Sequence, residues 1–339
     1  MKKGIFGLSA LALTTSLMSA TAFAGEEVNI YSNRQANLLN PILEQYTKDT
    51  GVKVNIVFAK KGLADRMKRE GRLSKADLLL TTDISRLVEA VDSGVTQSVS
   101  SDVLEDNIPA QYRDPDGEWF ALTTRVRNIY TSREAYGDVA NITYEELADP
   151  KYKGQICTRS GKHPYNVALI SSMISHHGEA EAKVWLEGVK ANLARKPQGN
   201  DRAQVKAIKE GVCTVALGNS YYLGKMLKDP KQIAWAESVN INFPNQENHG
   251  AHVNVSGMVL AKYAPNKGNA VKLMEYLSGA KAQQMYAEVN MEYPVKAGIK
   301  ASKLVSSWGE FNADYMPVAE IAKHRKAALR LLDEVKFDL

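Results

Sequence analysis

Cysteine is almost missing from this chain: Cys157 and Cys213 are the only two in 339 residues, which excludes a thiolate-rich metal site and a small scaffold held by many disulfides. The six histidines offer no i, i+4 pair of the zincin kind. His176 and His177 are consecutive and would face different ways on a helix, and His249, His252 and His324 stand apart and read as surface or hydrogen-bonded residues. No Gly-x-Ser-x-Gly elbow or acid/base dyad occurs, so an exported hydrolase with Ser160 or Cys157 as nucleophile has little support. Beyond the first 24 residues no apolar run approaches the roughly 18 residues of a membrane span. Charge of one sign is lacking as well: 43 Lys and Arg are interspersed with 38 Asp and Glu, too mild a balance to argue for nucleic acid. There is no repeat of fixed period and no low-complexity stretch, which excludes a solenoid and a flexible interdomain linker.

What is present starts with an export signal. Lys2 and Lys3 precede an apolar stretch from Ile5 to Met18, and Ala22-Phe23-Ala24 supplies a small-x-small cleavage site before Gly25. Residues 1–24 therefore read as a signal peptide. Its removal takes away two lysines and no acid, lowering the formal net charge from +5 to +3. The remainder is long enough for two lobes, each with its own core. In an oxidising compartment the pair Cys157 and Cys213 reads as a structural disulfide worth roughly 3–4 kcal/mol in the chain-entropy estimate.

Strands and helices alternate. Val28–Tyr31, Val52–Phe58 and Asp77–Thr82 read as strands, separated by helices over Leu38–Thr50 and Gly62–Gly71 and followed by one over Ile84–Ser93. Leu39, Ile42, Leu43 and Tyr46 fall at helical spacing. A second alternating series runs from Ala121 to Val239, with a further strand near Val253–Leu260 and helices dominating from Asn266 onward. The alternation predicts an α/β protein whose sheets are largely parallel and flanked by helices.

The feature with most chemical content is the adjacent pair Tyr221-Tyr222 in Gly218-Asn219-Ser220-Tyr221-Tyr222-Leu223-Gly224. Two neighbouring phenols on a Gly-bracketed turn are poor core material, because each hydroxyl needs its own partner. Tyr165, in Ser160-Gly161-Lys162-His163-Pro164-Tyr165-Asn166, also follows a predicted strand and starts a helix. All three therefore belong at the carboxyl ends of strands, where open α/β sheets place ligands. A phenol titrates near 10, so only a strongly acidifying cation keeps several ionised at neutral pH. Zinc and copper(I) prefer imidazole and thiolate, and calcium prefers carboxylates and carbonyls. A hard trivalent ion, Fe(III), is the best match, its charge balanced by three phenolates. Arg125 and Arg127 alternate along one strand face and offer a fork for a small oxyanion, while the turn Tyr31–Asn37 opens a helix whose N–H groups favour an anion. A receptor for a small anion or a polyamine is the competing reading.

Taken together, Tyr31-Ser32-x-Arg34-Gln35, Arg125-x-Arg127, Arg159-Ser160-x-x-x-x-Tyr165-Asn166, Gly199-Asn200-Asp201-Arg202, Gly218-Asn219-Ser220-Tyr221-Tyr222 and His252-Val253-Asn254-Val255-Ser256-Gly257 resemble the periplasmic ferric-ion-binding proteins of bacterial ABC importers, of the FbpA, FutA and IdiA type. The resemblance covers essentially the whole mature chain. It implies a two-lobed periplasmic-binding-protein fold of type II, a "Venus flytrap", with residues 25–121 plus 251–303 in the N-terminal lobe and 122–250 plus 304–339 in the C-terminal lobe. It further implies Tyr165, Tyr221 and Tyr222 as iron ligands, and a periplasmic monomer that is no enzyme and hands Fe(III) to an inner-membrane ABC permease. Many relatives carry a His-Tyr pair in the first turn where this chain has Gln35-Ala36, so two candidate donors are missing and an exogenous anion or water is expected to complete the sphere. The resemblance assigns Arg125 and Gln35 to a synergistic carbonate, with Arg34 and Arg127 as further anion contacts; citrate and hydroxide are the alternatives.

Overall fold

The computed structural model describes Met1, residues 26–138 and residues 140–339. Apart from Met1, the expected signal peptide lies outside the described residues. Ten strands occur among them: β1 (Glu27–Ser32), β2 (Lys53–Phe58), β3 (Leu78–Thr81), β4 (Thr96–Gln97), β5 (Phe120–Ser132), β6 (Ile156–Cys157), β7 (Val215–Asn219), β8 (Val239–Asn242), β9 (Val253–Ala261) and β10 (Tyr293–Pro294). Their order is β2-β1-β3-β9-β5-β7-β6, with β4 beside β9 and with β8 and β10 beside β5.

The fold is two-lobed α/β, and β5 shows why. Its first half, up to Val126, pairs with β9; from Arg127 onward it pairs with β7 and β8. One strand thus leaves the first sheet and enters the second, and β9 brings the chain back. Because outgoing and returning strands lie side by side they run antiparallel, as does β9 to β3. The parallel pairs are β1 with β2, β1 with β3, and β6 with β7. The sheets are therefore mixed rather than mostly parallel, a consequence of the shared crossing strands that local patterning does not reveal.

Each lobe has its own apolar core. The first gathers Val28, Ile30, Leu78, Leu80, Val255 and Met258 with Leu39, Ile42, Leu43 and Tyr46. Those last four are the i, i+3, i+4, i+7 stripe of the helix entered at Asn40–Thr50, and all four are buried. The second lobe buries Ile156, Val215 and Leu217 with Trp185 and the stripe Ala328, Leu331, Leu332, Val335 of the final helix Arg325–Val335. Each buried leucine of that stripe contributes roughly 2 kcal/mol. The C-terminal tail divides: Val318 and Ala322 join the first core, and Ala327 onward joins the second. Cys157 and Cys213 are disulfide-bonded, with Cα atoms 6.0 Å apart, and fasten β6 beside β7, whose C-terminal ends lead to the tyrosine-bearing turns. Among the described residues no helix is long and apolar enough to cross a membrane.

Candidate metal centre

Tyr165 lies in the first turn of the helix Pro164–Ala191, where the His163 side chain caps the Tyr165 N–H. Tyr221 and Tyr222 open the helix Tyr221–Leu227 directly after β7. Both helices start where strands of the second sheet end, and the turns are drawn together by a buried polar network. Asp201, fully buried, accepts hydrogen bonds from Arg127 Nη1 at 2.7 Å, from Arg159 Nη1 at 3.1 Å and from the Asn219 N–H at 2.9 Å. Arg127 in turn donates to Asn166 Oδ1 at 2.6 Å and to Asn219 Oδ1 at 3.1 Å. Asn166 adjoins Tyr165, and Asn219 is two residues before Tyr221. One ion-pair network thus sets both turns.

The result brings the three phenols together. The Tyr165 and Tyr221 hydroxyls are 3.2 Å apart, and the Tyr221 and Tyr222 rings have centroids 4.3 Å apart. They line a cleft of about 210 Å³ with Asn33, Arg34, Gln35, Leu38, Thr82, Arg125, Arg202, Lys225 and Glu292. The first lobe supplies Arg34, Gln35 and Arg125; the second supplies the tyrosines. Burial, then the neighbouring phenols Tyr165 and Tyr222, pushes Tyr221 well above the ordinary tyrosine value. Burial, with Tyr165 and Asp201 adding, takes Tyr222 up to about 12. Without a cation, these two phenols are protonated at neutral pH.

The wall around them is cationic. Arg202 lies 5.5 Å from the Tyr222 ring centroid, Lys225 4.9 Å from that of Tyr221, and Arg159 and Arg125 5.3 and 5.7 Å from that of Tyr165. Burial brings Lys225 down to about 8, helped by Arg34 and Arg202. Among the described residues, Glu292 is the one carboxylate lining the cleft. Burial alone would raise it, yet Arg34 and Arg125 hold it below the usual range, and Arg34 Nη2 pairs with it at 2.9 Å. Arg125 is nearly fully buried, donating to the Thr82 carbonyl and to Ser256 Oγ. Excess positive charge beside three phenols suits a metal accompanied by an anion.

A family model described as bacterial extracellular solute-binding protein matches residues 74–310. The chain belongs to that family. This solute-binding protein is 43% identical over 312 residues to iron uptake protein A1 of Synechocystis, covering 91% of this chain and 87% of the relative. Among solved structures, ferric iron-binding protein A of Mannheimia haemolytica in an open conformation shares 59% identity, with a TM-score of 0.90 over 93% of this chain and 99% of that one. A Trichodesmium IdiA (FutA) protein in complex with iron and citrate shares 39% identity, with a TM-score of 0.88 over 92% and 99%. The resemblance to the ferric-ion-binding type is thus shown over more than nine-tenths of the chain, and its relatives are iron-binding transport proteins.

Of the residues singled out from sequence, Tyr165, Tyr221, Tyr222, Gln35, Arg34 and Arg125 all line the cleft. Arg127 does not. Its guanidinium is held by Asp201, Asn166 and Asn219, so the expectation of an anion contact gives way to a positioning role, because a buried carboxylate 74 residues away claims the fork. Cleft residues that sequence reasoning missed are Thr82, Arg202, Lys225 and Glu292. Arg202 stands in the quoted Gly199–Arg202 motif and was within reach, whereas nothing local marks Glu292. His249 is hydrogen-bonded as expected, but the histidines also cluster, which their spacing does not reveal: His177 and His249 converge on Glu145, and His176 and His249 group with Asp314.

Proposed function

We propose that this protein captures Fe(III) in the interlobe cleft through the phenolate oxygens of Tyr165, Tyr221 and Tyr222, with carbonate as synergistic anion, and delivers it in the periplasm to an inner-membrane ABC permease. The observation that carries the reading is the close approach of the Tyr165 and Tyr221 hydroxyls, 3.2 Å apart, with the Tyr222 ring centroid 4.3 Å from that of Tyr221. Three phenolates neutralise a tripositive ion, and each must first lose a proton that burial holds on Tyr221 and Tyr222. A hard trivalent cation supplies the field that removes it. The iron uptake protein of Synechocystis, the ferric iron-binding protein of Mannheimia and the iron-bound protein of Trichodesmium support iron as the cargo.

The anion follows from charge. With the phenolates spent on the metal, Arg125, Arg202 and Lys225 still face the cleft, and Arg34 is satisfied by Glu292. Carbonate bound by Arg125 and Gln35 fills open coordination positions and offsets that excess. Citrate is favoured by the Trichodesmium relative, whose structure holds iron and citrate. Closure of the first lobe over the second excludes water and strengthens each charge interaction, and proton return to the phenols on acidification releases the cargo.

Ferric affinity, measured by competition against a chelator of known strength, is the test. Tyr165→Phe and Tyr222→Phe are expected to weaken binding more than about 100-fold, beyond what outer residues of metal sites cost, with unchanged circular dichroism. Unchanged affinity in either removes that residue from the site. Arg125→Ala is expected to abolish the dependence on bicarbonate; a wild type indifferent to bicarbonate but responsive to citrate replaces carbonate with citrate.

A further inference from the structure

A second metal-ligating cluster lies away from the cleft, at the crossover that returns the chain from β8 to β9. Its members are Glu145, in the short 3-10 turn Glu145–Ala148, His177, the last residue before the helix Pro164–Ala191 breaks at Gly178, and His249 in the return segment. None lines the tyrosine cleft. His177 Nε2 and His249 Nε2 both point at one carboxylate oxygen, Glu145 Oε1, at 2.8 and 3.1 Å, and the two rings stand nearly perpendicular, 69° apart.

His249 Nε2 is overcommitted. It lies 3.0 Å from Asn245 Nδ2, a donor, as well as 3.1 Å from Glu145 Oε1, an acceptor. The amide cannot turn to relieve this, because Asn245 Oδ1 accepts the Tyr144 N–H at 2.9 Å and Asn245 Nδ2 donates to Glu145 Oε2 at 2.7 Å. With His249 neutral and its proton on Nδ1, the Nε2 lone pair is left facing the Glu145 carboxylate, and a cation between them removes that repulsion. His249 is buried and clamped by stacking on His176, at a centroid separation of 3.9 Å. His176 is itself held by Asp314 at 2.9 Å. His177 is exposed and leaves a side open to solvent.

We propose that Glu145, His177 and His249 bind a divalent, imidazole-preferring cation of the zinc class, separate from the cleft, with the fourth position taken by water. Two imidazoles and one carboxylate are a donor set such ions take. Bonds of 2.0–2.2 Å in a tetrahedron put ligand atoms about 3.3–3.6 Å apart, so the nitrogen-to-carboxylate spacings of 2.8 and 3.1 Å need to open by about half an ångström, and the ligand atoms of all three residues lie within 4.8 Å of one another. The bound ion would join the return crossover to two elements of the second lobe. The proposal does not depend on the reading of the cleft.

Calorimetric titration with Zn²⁺ tests it, run on the full mature chain and on the same chain carrying Tyr221→Phe and Tyr222→Phe, where the cleft cannot compete. The expected result is one equivalent bound in both, weakened at least about tenfold by His177→Ala and by Glu145→Gln, with Co²⁺ giving a tetrahedral visible band that the same substitutions abolish. His177 is exposed, so its removal spares the fold; His249→Gln serves as a second probe. Absence of a stoichiometric site overturns the proposal. So does Zn²⁺ binding that survives His177→Ala and Glu145→Gln but is lost with the two tyrosines, which would place the ion in the cleft.

Discussion

At the residue scale, the behaviour of the site follows from how buried groups are paired. His252 is 1% exposed and neither ring nitrogen has a hydrogen-bond partner. Burial first, then Arg127 and Arg125, brings its imidazole down to about 4. A free histidine titrates near 6.5, so between pH 6.5 and 4 the unfolded chain holds a proton that the folded chain refuses, and stability falls as pH drops through that window. Urea unfolding at pH 7 and pH 5 should show wild type losing about 2 kcal/mol more than His252→Gln. Equal losses would mean that His252 is protonated or solvated in the folded protein. The phenols carry the opposite lesson about legibility. Tyr221 and Tyr222 declare themselves by adjacency and by following a strand, whereas Arg127 looked like an anion ligand only because its partner Asp201 is invisible in the local sequence.

Elements decide whether those residues meet. Gly218 is the next-to-last residue of β7, and an added Cβ there would stand 2.5 Å from Tyr130 Cε2. Tyr130 is fully buried and fixed by its hydroxyl, which donates to the Asn219 carbonyl at 2.9 Å, so it has no room to yield. Gly218→Ala should therefore cost about 1–3 kcal/mol by overpacking, lower the melting temperature and weaken ferric binding by shifting the turn that starts at Ser220. An unaltered melting temperature would show that the strand relaxes freely. The helical stripes Leu39, Ile42, Leu43, Tyr46 and Ala328, Leu331, Leu332, Val335 could be read from spacing alone, because one face of one helix encodes them. The sheet's mixed direction could not, since it depends on where β9 returns relative to β5. The meeting of His177 with His249, 72 residues apart, belongs to the same class of long-range fact.

For the whole molecule, the tyrosines stand on one lobe and Arg34, Gln35 and Arg125 on the other, while β5 and the return into β9 connect the two. On the proposed reading, ferric iron with its anion would give the lobes a shared ligand, and cargo that contacts both walls would favour the closed arrangement. Solution X-ray scattering should record a smaller radius of gyration for the iron-loaded protein than for the iron-free protein, and an unchanged radius would argue for capture by one lobe alone. The central claim, however, is that phenolate oxygens hold the metal, and the visible absorption spectrum during ferric titration tests it most directly. The account predicts an intense phenolate-to-iron charge-transfer band that saturates at one equivalent of Fe(III) and is lost in the Tyr221→Phe, Tyr222→Phe protein. A protein that binds ferric iron stoichiometrically yet stays colourless would contradict it.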